Sequence, residues 1–153
     1  MEEYNSYYLL WPDDIIWVPI CLLVLTIFVY KKSQRYKGMV IHKYYMPAFF
    51  LRILFATLFT LISQYYFQFA DTNHYYQAVL DMHKAVSTDY GHLQDIYGNL
   101  KLTKTNPIYP FFLYDALGIT HLYMFDVTNY FTPKFALPFS LMFGKSYLAI
   151  CYC

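Results

Sequence analysis

Charged side chains are scarce in this sequence. Asp, Glu, Lys and Arg make up 14% of its 153 residues, whereas about 25% is usual in soluble domains. Hydrophobic residues make up 58%, above the usual range of about 45–50%. The composition therefore argues against an ordinary soluble domain and favours a membrane protein. The net charge of +1 by itself indicates neither a nucleic acid nor an acidic partner. No basic surface with interleaved aromatic residues is visible, so no nucleic-acid partner is expected.

Cysteine and the familiar catalytic motifs are equally scarce. Of the three cysteines, Cys21 lies in an apolar run, and Cys151 and Cys153 are two positions apart. This spacing predicts no disulfide framework, and a C-x-C pattern without further ligands does not define a metal site. The sequence has no phosphate-binding glycine loop, no nucleophile elbow and no zincin helix. The first residues, MEEYNSYY, are acidic and do not resemble the basic start of a signal peptide.

Two long apolar runs are present instead. Residues 15–30, IIWVPICLLVLTIFVY, and residues 46–67, MPAFFLRILFATLFTLISQYYF, would form helices of roughly 24 and 33 Å. The hydrocarbon layer of a bilayer is about 30 Å thick, so both runs are predicted to span a membrane. Arg52 lies close enough to one end of the second span for its side chain to reach the interface. A buried ion pair or a substrate contact is the alternative for this residue. A buried helical hairpin in a soluble protein is the alternative.

The charges around these runs predict an orientation. The connecting segment 31–45 contains five Lys and Arg residues and no acid, and all ten acidic residues lie outside 15–67. By the positive-inside rule, segment 31–45 is cytoplasmic. Residues 1–14 and everything from residue 68 onward then face the other side, and a bacterial inner membrane is the expected location.

The remaining chain is predicted to be helical as well. Residues 72–86 place apolar side chains on one face and Asn73, Gln77, Asp81 and Lys84 opposite, which indicates an amphipathic helix at the membrane surface or packed on other helices. Segment 68–145 is interpreted as an extracytoplasmic loop with interfacial or re-entrant helices. One of these helices is expected to begin at Thr132 and Pro133, bend at Pro138 and end at Gly144. Residues 146–153 are interpreted as the start of a truncated third span. The predicted fold class is thus an all-α polytopic membrane protein.

Asp71 is the leading candidate for a catalytic residue, because it follows the second span directly. As an N-cap, its carboxylate would accept a backbone N–H from the first helical turn. As a general base, it would take a proton from an acceptor hydroxyl at the lipid boundary. His74, three residues later, is a weaker candidate, and the two side chains could share a divalent ion. Asp115 and Asp126 are second-tier carboxylates, while His74, His83 and His92 have the pattern of surface residues.

The order FADTNHYYQAVLDMHKAV, then a broken apolar segment, then PKFALPFSLMFGKSYLAI resembles the amino-terminal part of bacterial multi-pass proteins grouped with GT-C-type glycosyltransferases. The resemblance covers residues 60–153. It implies a donor sugar linked to a lipid phosphate and places the essential acid of the first large extracytoplasmic loop at Asp71. The chain departs from the family pattern in having a complete hairpin before that loop. The later spans would hold much of the donor pocket, so this portion alone is expected to be inactive.

A noncatalytic role is the main alternative. In that interpretation the chain is a membrane subunit of a larger secretion, motor or respiratory assembly, and its Tyr and Phe side chains contact lipids and neighbouring helices. A transporter fragment is a third interpretation, but it would require polar residues inside the spans, and only Arg52, Ser63 and Gln64 are available. Membrane lipids, a lipid-linked sugar and other membrane subunits are therefore the expected partners.

Overall fold

The computed structural model describes residues 10, 12, 14–67, 71–113 and 119–152. These residues form eight α-helices and contain no β-strand, which confirms the all-helical prediction for this part of the chain. The helices are α1 (Asp14–Gln34), α2 (His42–Tyr65), α3 (Asp71–Thr88), α4 (His92–Gly98), α5 (Tyr109–Leu113), α6 (Thr120–Tyr123), α7 (Val127–Phe143) and α8 (Tyr147–Tyr152). The predictions made for residues 1–9, Asp115 and Cys153 lie outside the described residues.

Helices α1 and α2 contain the two apolar runs, and both are long and apolar enough to cross a membrane. α1 continues past the expected span into Lys31 and Lys32, and α2 begins at His42 and ends at Tyr65. Only 11% of the most apolar window of each helix is buried. The core helix of a soluble protein is mostly buried, so these two helices differ from one in the surface they expose.

Small and hydroxyl-bearing residues are among the buried residues of α1 and α2. Cys21 and Ser33 are buried on α1, and Thr60 and Ser63 are buried on α2. Such residues let two helix backbones approach closely, as they do between helices in membranes. The Thr60 hydroxyl donates to the carbonyl of Ala56 at 3.0 Å, so its polar group is satisfied within α2. Many of the larger apolar side chains on both helices are exposed, among them Phe28 and Phe55.

Helix α3 is the centre of a second packing unit, because it contacts α4, α5, α6 and α7. One face of α3 contributes Ala78, Met82, Ala85 and Val86 to the core. These positions recur at helical spacing, so their side chains lie on one stripe. The opposing helices and loops contribute the remaining buried members, which are Ile96, Leu102, Ile108, Phe112, Met124, Tyr130 and Leu137.

The amphipathic helix expected over 72–86 is present as α3, but its polar side is buried. Asn73, Gln77 and Asp81 are 1%, 5% and 5% exposed, and only Lys84 of the predicted polar face is exposed. The Gln77 side-chain amide donates to Asp81 Oδ1 at 2.8 Å. Polar side chains can be buried at acceptable cost when they bond to one another. Of the two expected placements for this helix, the structure has the one packed on other helices.

Helix α7 begins earlier than predicted. The expected start at Thr132 and Pro133 is wrong, because Asp126 caps the helix and its Oδ1 accepts the backbone N–H of Thr128 at 2.8 Å. This cap satisfies one of the first N–H groups of the helix and sets its start at Val127. The end is confirmed at Gly144, which follows the last helical residue with φ +62°.

Helix α8 returns the chain to the hairpin and packs against α1, α2 and α7. At its start, the Ser146 hydroxyl donates to Asp14 Oδ1 at the start of α1. Near its other end, the hydroxyls of Tyr152 and Thr57 lie 2.7 Å apart. α8 therefore starts level with α1 and runs parallel to it, forming a third wall beside the two long helices.

Candidate functional site

Asp71 lies at the junction between the hairpin and the α3 unit. It is the first residue of α3, and its side chain is exposed. A carboxylate in the first turn is favoured there by the positive end of the helix dipole. The position predicted from the sequence is thus an accessible one.

Tyr75 stands one helical turn after Asp71 and was not predicted to belong to the site. Its hydroxyl donates to Asn129 Oδ1 at 2.8 Å, which ties α3 to the start of α7. Burial raises the pKa of the Tyr75 phenol, and the nearby Asp71, Tyr123 and Asp126 raise it further. Tyr75 consequently remains a protonated hydrogen-bond donor at neutral pH and does not compete with Asp71 as a base.

Asp126, the second-tier carboxylate, is near the same phenol but is already engaged. Its Oδ1 accepts the backbone N–H groups of Thr128 and Asn129, at 2.8 and 3.4 Å. Hydrogen bonds from Thr128 are the main reason that the pKa of Asp126 is lowered. A carboxylate stabilised in its charged form by a cap is a weak proton acceptor. Asp126 is therefore a poor candidate for the base.

An apolar groove of about 280 Å³ opens beside this cluster. We call it the junction groove, since α2, α3, α7 and α8 all contribute to its walls. Its lining residues are mostly aromatic or aliphatic: Phe59, Thr72, Tyr75, Tyr76, Val79, Thr132, Pro133, Ala136, Tyr147, Ile150 and Cys151. On α3 these positions follow helical spacing, so one stripe of the helix faces the groove. Asp71 flanks that stripe, directly before Thr72.

His74 is not a surface residue, contrary to its sequence pattern. It is 4% exposed, and its ring stacks on Tyr123 with centroids 4.2 Å apart and planes inclined by 16°. The same helical turn thus carries an outward Asp71 and a buried His74. His74 acts in the packing between α3 and α6, and its place favours a structural role over proton transfer.

The other two histidines with a surface pattern are also partly buried. His83 Nδ1 lies 2.8 Å from the Ser140 hydroxyl, in the contact between α3 and α7. His92 Nδ1 lies 3.0 Å from Asp95 Oδ2, an ion pair within α4 when the imidazole is protonated. Neither histidine lines the junction groove. The described residues contain no group of three or more His, Cys, Asp or Glu side chains that could hold a metal ion.

Comparison with protein-family models, curated proteins and solved structures finds no match to this chain.

Proposed function

We propose that this chain is an integral membrane protein in which α1 and α2 cross a bacterial inner membrane and α3–α7 form an extracytoplasmic unit. The charge distribution and the exposure of large side chains on both helices support this topology. Phe28 on α1 and Phe55 on α2 are 62% and 60% exposed. Transferring such surface from water into lipid is favourable. The amino terminus then lies on the extracytoplasmic side, together with Asp71.

Within this topology we propose that the site at Asp71 belongs to a glycosyltransferase that uses a sugar linked to a polyprenyl phosphate. One observation carries the proposal. An accessible carboxylate stands beside an apolar groove whose walls include Phe59 of α2 and Ile150 of α8. A hydrocarbon chain in the groove would hold its phosphate-linked sugar near the membrane boundary, where Asp71 lies. The groove volume is just below the usual ligand-pocket range of about 300–1,000 Å³, so it would hold only part of such a chain.

In the proposed reaction, Asp71 takes the proton of an acceptor hydroxyl. The hydroxyl oxygen forms a bond to the reactive carbon of the donor sugar as the bond from that carbon to the lipid phosphate breaks. The lipid phosphate leaves with the bonding electrons, and the proton resides on the Asp71 carboxyl. A carboxylate positioned for this transfer typically contributes about 10²–10⁴-fold to the rate.

The Asp71→Asn substitution tests this role. It keeps a side-chain oxygen at the helix start but removes the base. We expect sugar transfer in membranes that carry this chain together with the later spans expected to complete the donor pocket, measured as polyprenyl phosphate released from a labelled donor, to fall by at least about 100-fold. Circular dichroism and thermal unfolding should remain unchanged. Asp89→Asn is the matched control, because Asp89 is exposed at the far end of α3 and an amide oxygen can still accept from Gly91 N–H.

The groove is tested separately by Val79→Trp. Val79 is 3% exposed and lines the junction groove, so a larger side chain should fill it. We expect lost photo-crosslinking to a polyprenyl-phosphate sugar carrying a reactive group in its hydrocarbon tail. Asp71→Asn should leave this crosslinking intact. Unchanged transfer in Asp71→Asn, or unchanged crosslinking in a folded Val79→Trp protein, would contradict the proposal.

A noncatalytic membrane subunit is the second candidate, and one observation favours it. α7 exposes Phe131, Phe135 and Met142 at 66%, 68% and 65%, away from the core of the α3 unit. Large exposed apolar patches often mark contacts with other proteins or with lipid. In this alternative, Asp71→Asn leaves function intact in the assembled complex, whereas Phe135→Ser should disrupt co-purification with partner subunits.

A further inference from the structure

The end of the hairpin where α1 passes into α2 carries a dense cluster of positive charge. Its five cations are all exposed and are Lys31, Lys32, Arg35, Lys37 and Lys43. We call residues 31–43 the basic turn. The sequence from 15 to 67 contains no Asp or Glu, and within the described part of the chain none of the five cations forms an ion pair with a carboxylate. These cations therefore face outward without a counter-charge from the described chain.

Local contacts hold the basic turn in one shape. His42 Nδ1 lies 2.9 Å from the Ser33 hydroxyl and 3.0 Å from the Ser33 carbonyl oxygen, which ties the start of α2 to the end of α1. The rings of Tyr36 and Tyr45 stack with centroids 5.5 Å apart. Gly38 has φ +99°, a conformation that side chains disfavour, and it allows the chain to reverse. A preformed turn loses little conformational freedom when it binds a ligand.

Apolar residues stand next to these cations. Met39, Val40 and Ile41 are consecutive, and they are 63%, 75% and 52% exposed. Cationic groups together with exposed aliphatic groups suit the layer where lipid phosphates meet acyl chains. A nucleic acid or a free polyanion would neutralise the cations but leave these three side chains in water. The combination therefore selects a lipid as the partner.

We propose that the basic turn binds the headgroups of anionic phospholipids. The ammonium and guanidinium groups contact lipid phosphates, and residues 39–41 lie at the boundary with the acyl chains. Clusters of four to eight Lys and Arg residues next to a spanning helix bind anionic lipids in this way. The site is at the opposite end of α2 from Asp71, so this inference does not depend on the proposed transferase activity.

The test uses the full chain, purified in a neutral detergent. It is mixed with equal amounts of phosphatidylglycerol and phosphatidylcholine, and bound lipids are counted by native mass spectrometry. We expect phosphatidylglycerol to be preferred and the preference to weaken as NaCl is raised. Lys37→Gln should reduce the preference by up to about fivefold, the effect of one charge near an anionic surface. Replacing all five cations with Gln should abolish it.

Matched variants distinguish this site from general charge effects. Lys84, Lys101 and Lys104 are exposed in the α3 unit, and changing all three to Gln should leave the lipid preference intact. Exchanging the four lysines of the basic turn for Arg should preserve it as well. Because Lys37 lies between the two helices, Lys37→Gln remains informative if the quintuple variant does not fold.

Two further arms identify what is bound. Met39→Ser with Val40→Ser should weaken phosphatidylglycerol binding without any change in charge. Inorganic phosphate should compete no better than NaCl of equal ionic strength. Specific displacement by inorganic phosphate would overturn the lipid assignment, as would an unchanged preference in the quintuple variant or an equal loss in the Lys84, Lys101 and Lys104 control.

Discussion

Tyr75 links the candidate base to the rest of the fold at the level of single atoms. Its ring lines the junction groove, and its hydroxyl donates to Asn129 at the first turn of α7. Asp71 lies one turn earlier on the same side of α3. Displacing Tyr75 would therefore change both the wall of the junction groove and the surroundings of Asp71. Its position makes it a positioning residue in the proposed reaction.

A double-mutant cycle measures this link. Tyr75→Phe and Asn129→Ala should each reduce the unfolding free energy, and the coupling between them should be about 1 kcal/mol, as for a neutral hydrogen bond. Chemical unfolding in detergent followed by circular dichroism provides the measurement. Tyr90→Phe is the control, since Tyr90 is 78% exposed. A coupling near zero would show that the bond does not join α3 to α7 in solution.

Gly144 is required by both its conformation and its neighbour. Its backbone has φ +62° and ψ −149°, and a Cβ added there would lie 3.0 Å from Trp17 Nε1. We expect Gly144→Ala to reduce stability by about 1–3 kcal/mol, the cost of a side chain in such a conformation. Gly98→Ala is the matched control, because an added Cβ meets nothing within 4 Å. Combining Gly144→Ala with Trp17→Phe should restore only the part of the loss that comes from the close contact.

At the scale of helices, the sequence predicted which segments are helical better than it predicted which of their side chains are buried. The long apolar runs and the periodicity of 72–86 identify α1, α2 and α3, because helical spacing is a local property. The burial of Asn73 and Gln77 could not be predicted, since it depends on packing that lies elsewhere in the chain. The start of α7 was missed for a different reason. Thr132–Pro133 has the pattern of a helix start, but Asp126 already provides a cap six residues earlier.

The contact between α3 and α7 should depend on pH through His83. Burial lowers the pKa of His83 below its ordinary value of 6.5, and the positive charge of Lys145 lowers it further. The unfolded chain therefore binds this proton more readily than the folded chain does. Neutral His83 contributes its full share of the unfolding free energy above about pH 6.5. This contribution is lost as the pH falls from that value towards the lower pKa of His83 in the folded state.

Thermal unfolding at a series of pH values tests this expectation. His83→Gln should flatten the decline in stability below about pH 6.5, because Gln does not titrate. Lys145→Gln should reduce the decline without removing it, since burial is the larger cause. A wild-type decline that is identical in His83→Gln would assign the pH dependence to other groups.

At the scale of the whole molecule, the two packing units meet along α7, α8 and a small cluster of Tyr76, Leu80 and Tyr147. The Tyr76 hydroxyl also donates to the Lys145 carbonyl at 2.6 Å. The junction groove lies at this meeting, so its shape depends on residues far apart in sequence. Sequence reasoning could identify Asp71 from its place after an apolar run. It could not identify Tyr75 or Asn129, because no local pattern indicates a contact between α3 and α7.

Cysteine labelling in intact cells tests the proposed topology. In a background without Cys21, Cys151 and Cys153, a membrane-impermeant maleimide should label Gln94→Cys directly. Lys37→Cys should react only after the cells are permeabilised, because the basic turn is expected in the cytoplasm. Both positions are exposed, so lack of labelling cannot be attributed to burial in the fold. Labelling of position 94 only after permeabilisation would reverse the orientation, and a monodisperse chain without detergent would exclude membrane insertion.

The bond between Ser146 and Asp14 joins the start of α8 to the start of α1, so it can form only after the α3 unit has been synthesised. Ribosomes synthesise α1 and α2 first, but α8, which packs against both, is completed only after the whole α3 unit. During that interval the surface later covered by α8 has no partner among the described helices. In a newly made hairpin, this surface of α1 and α2 would therefore stay uncovered until α8 has been synthesised.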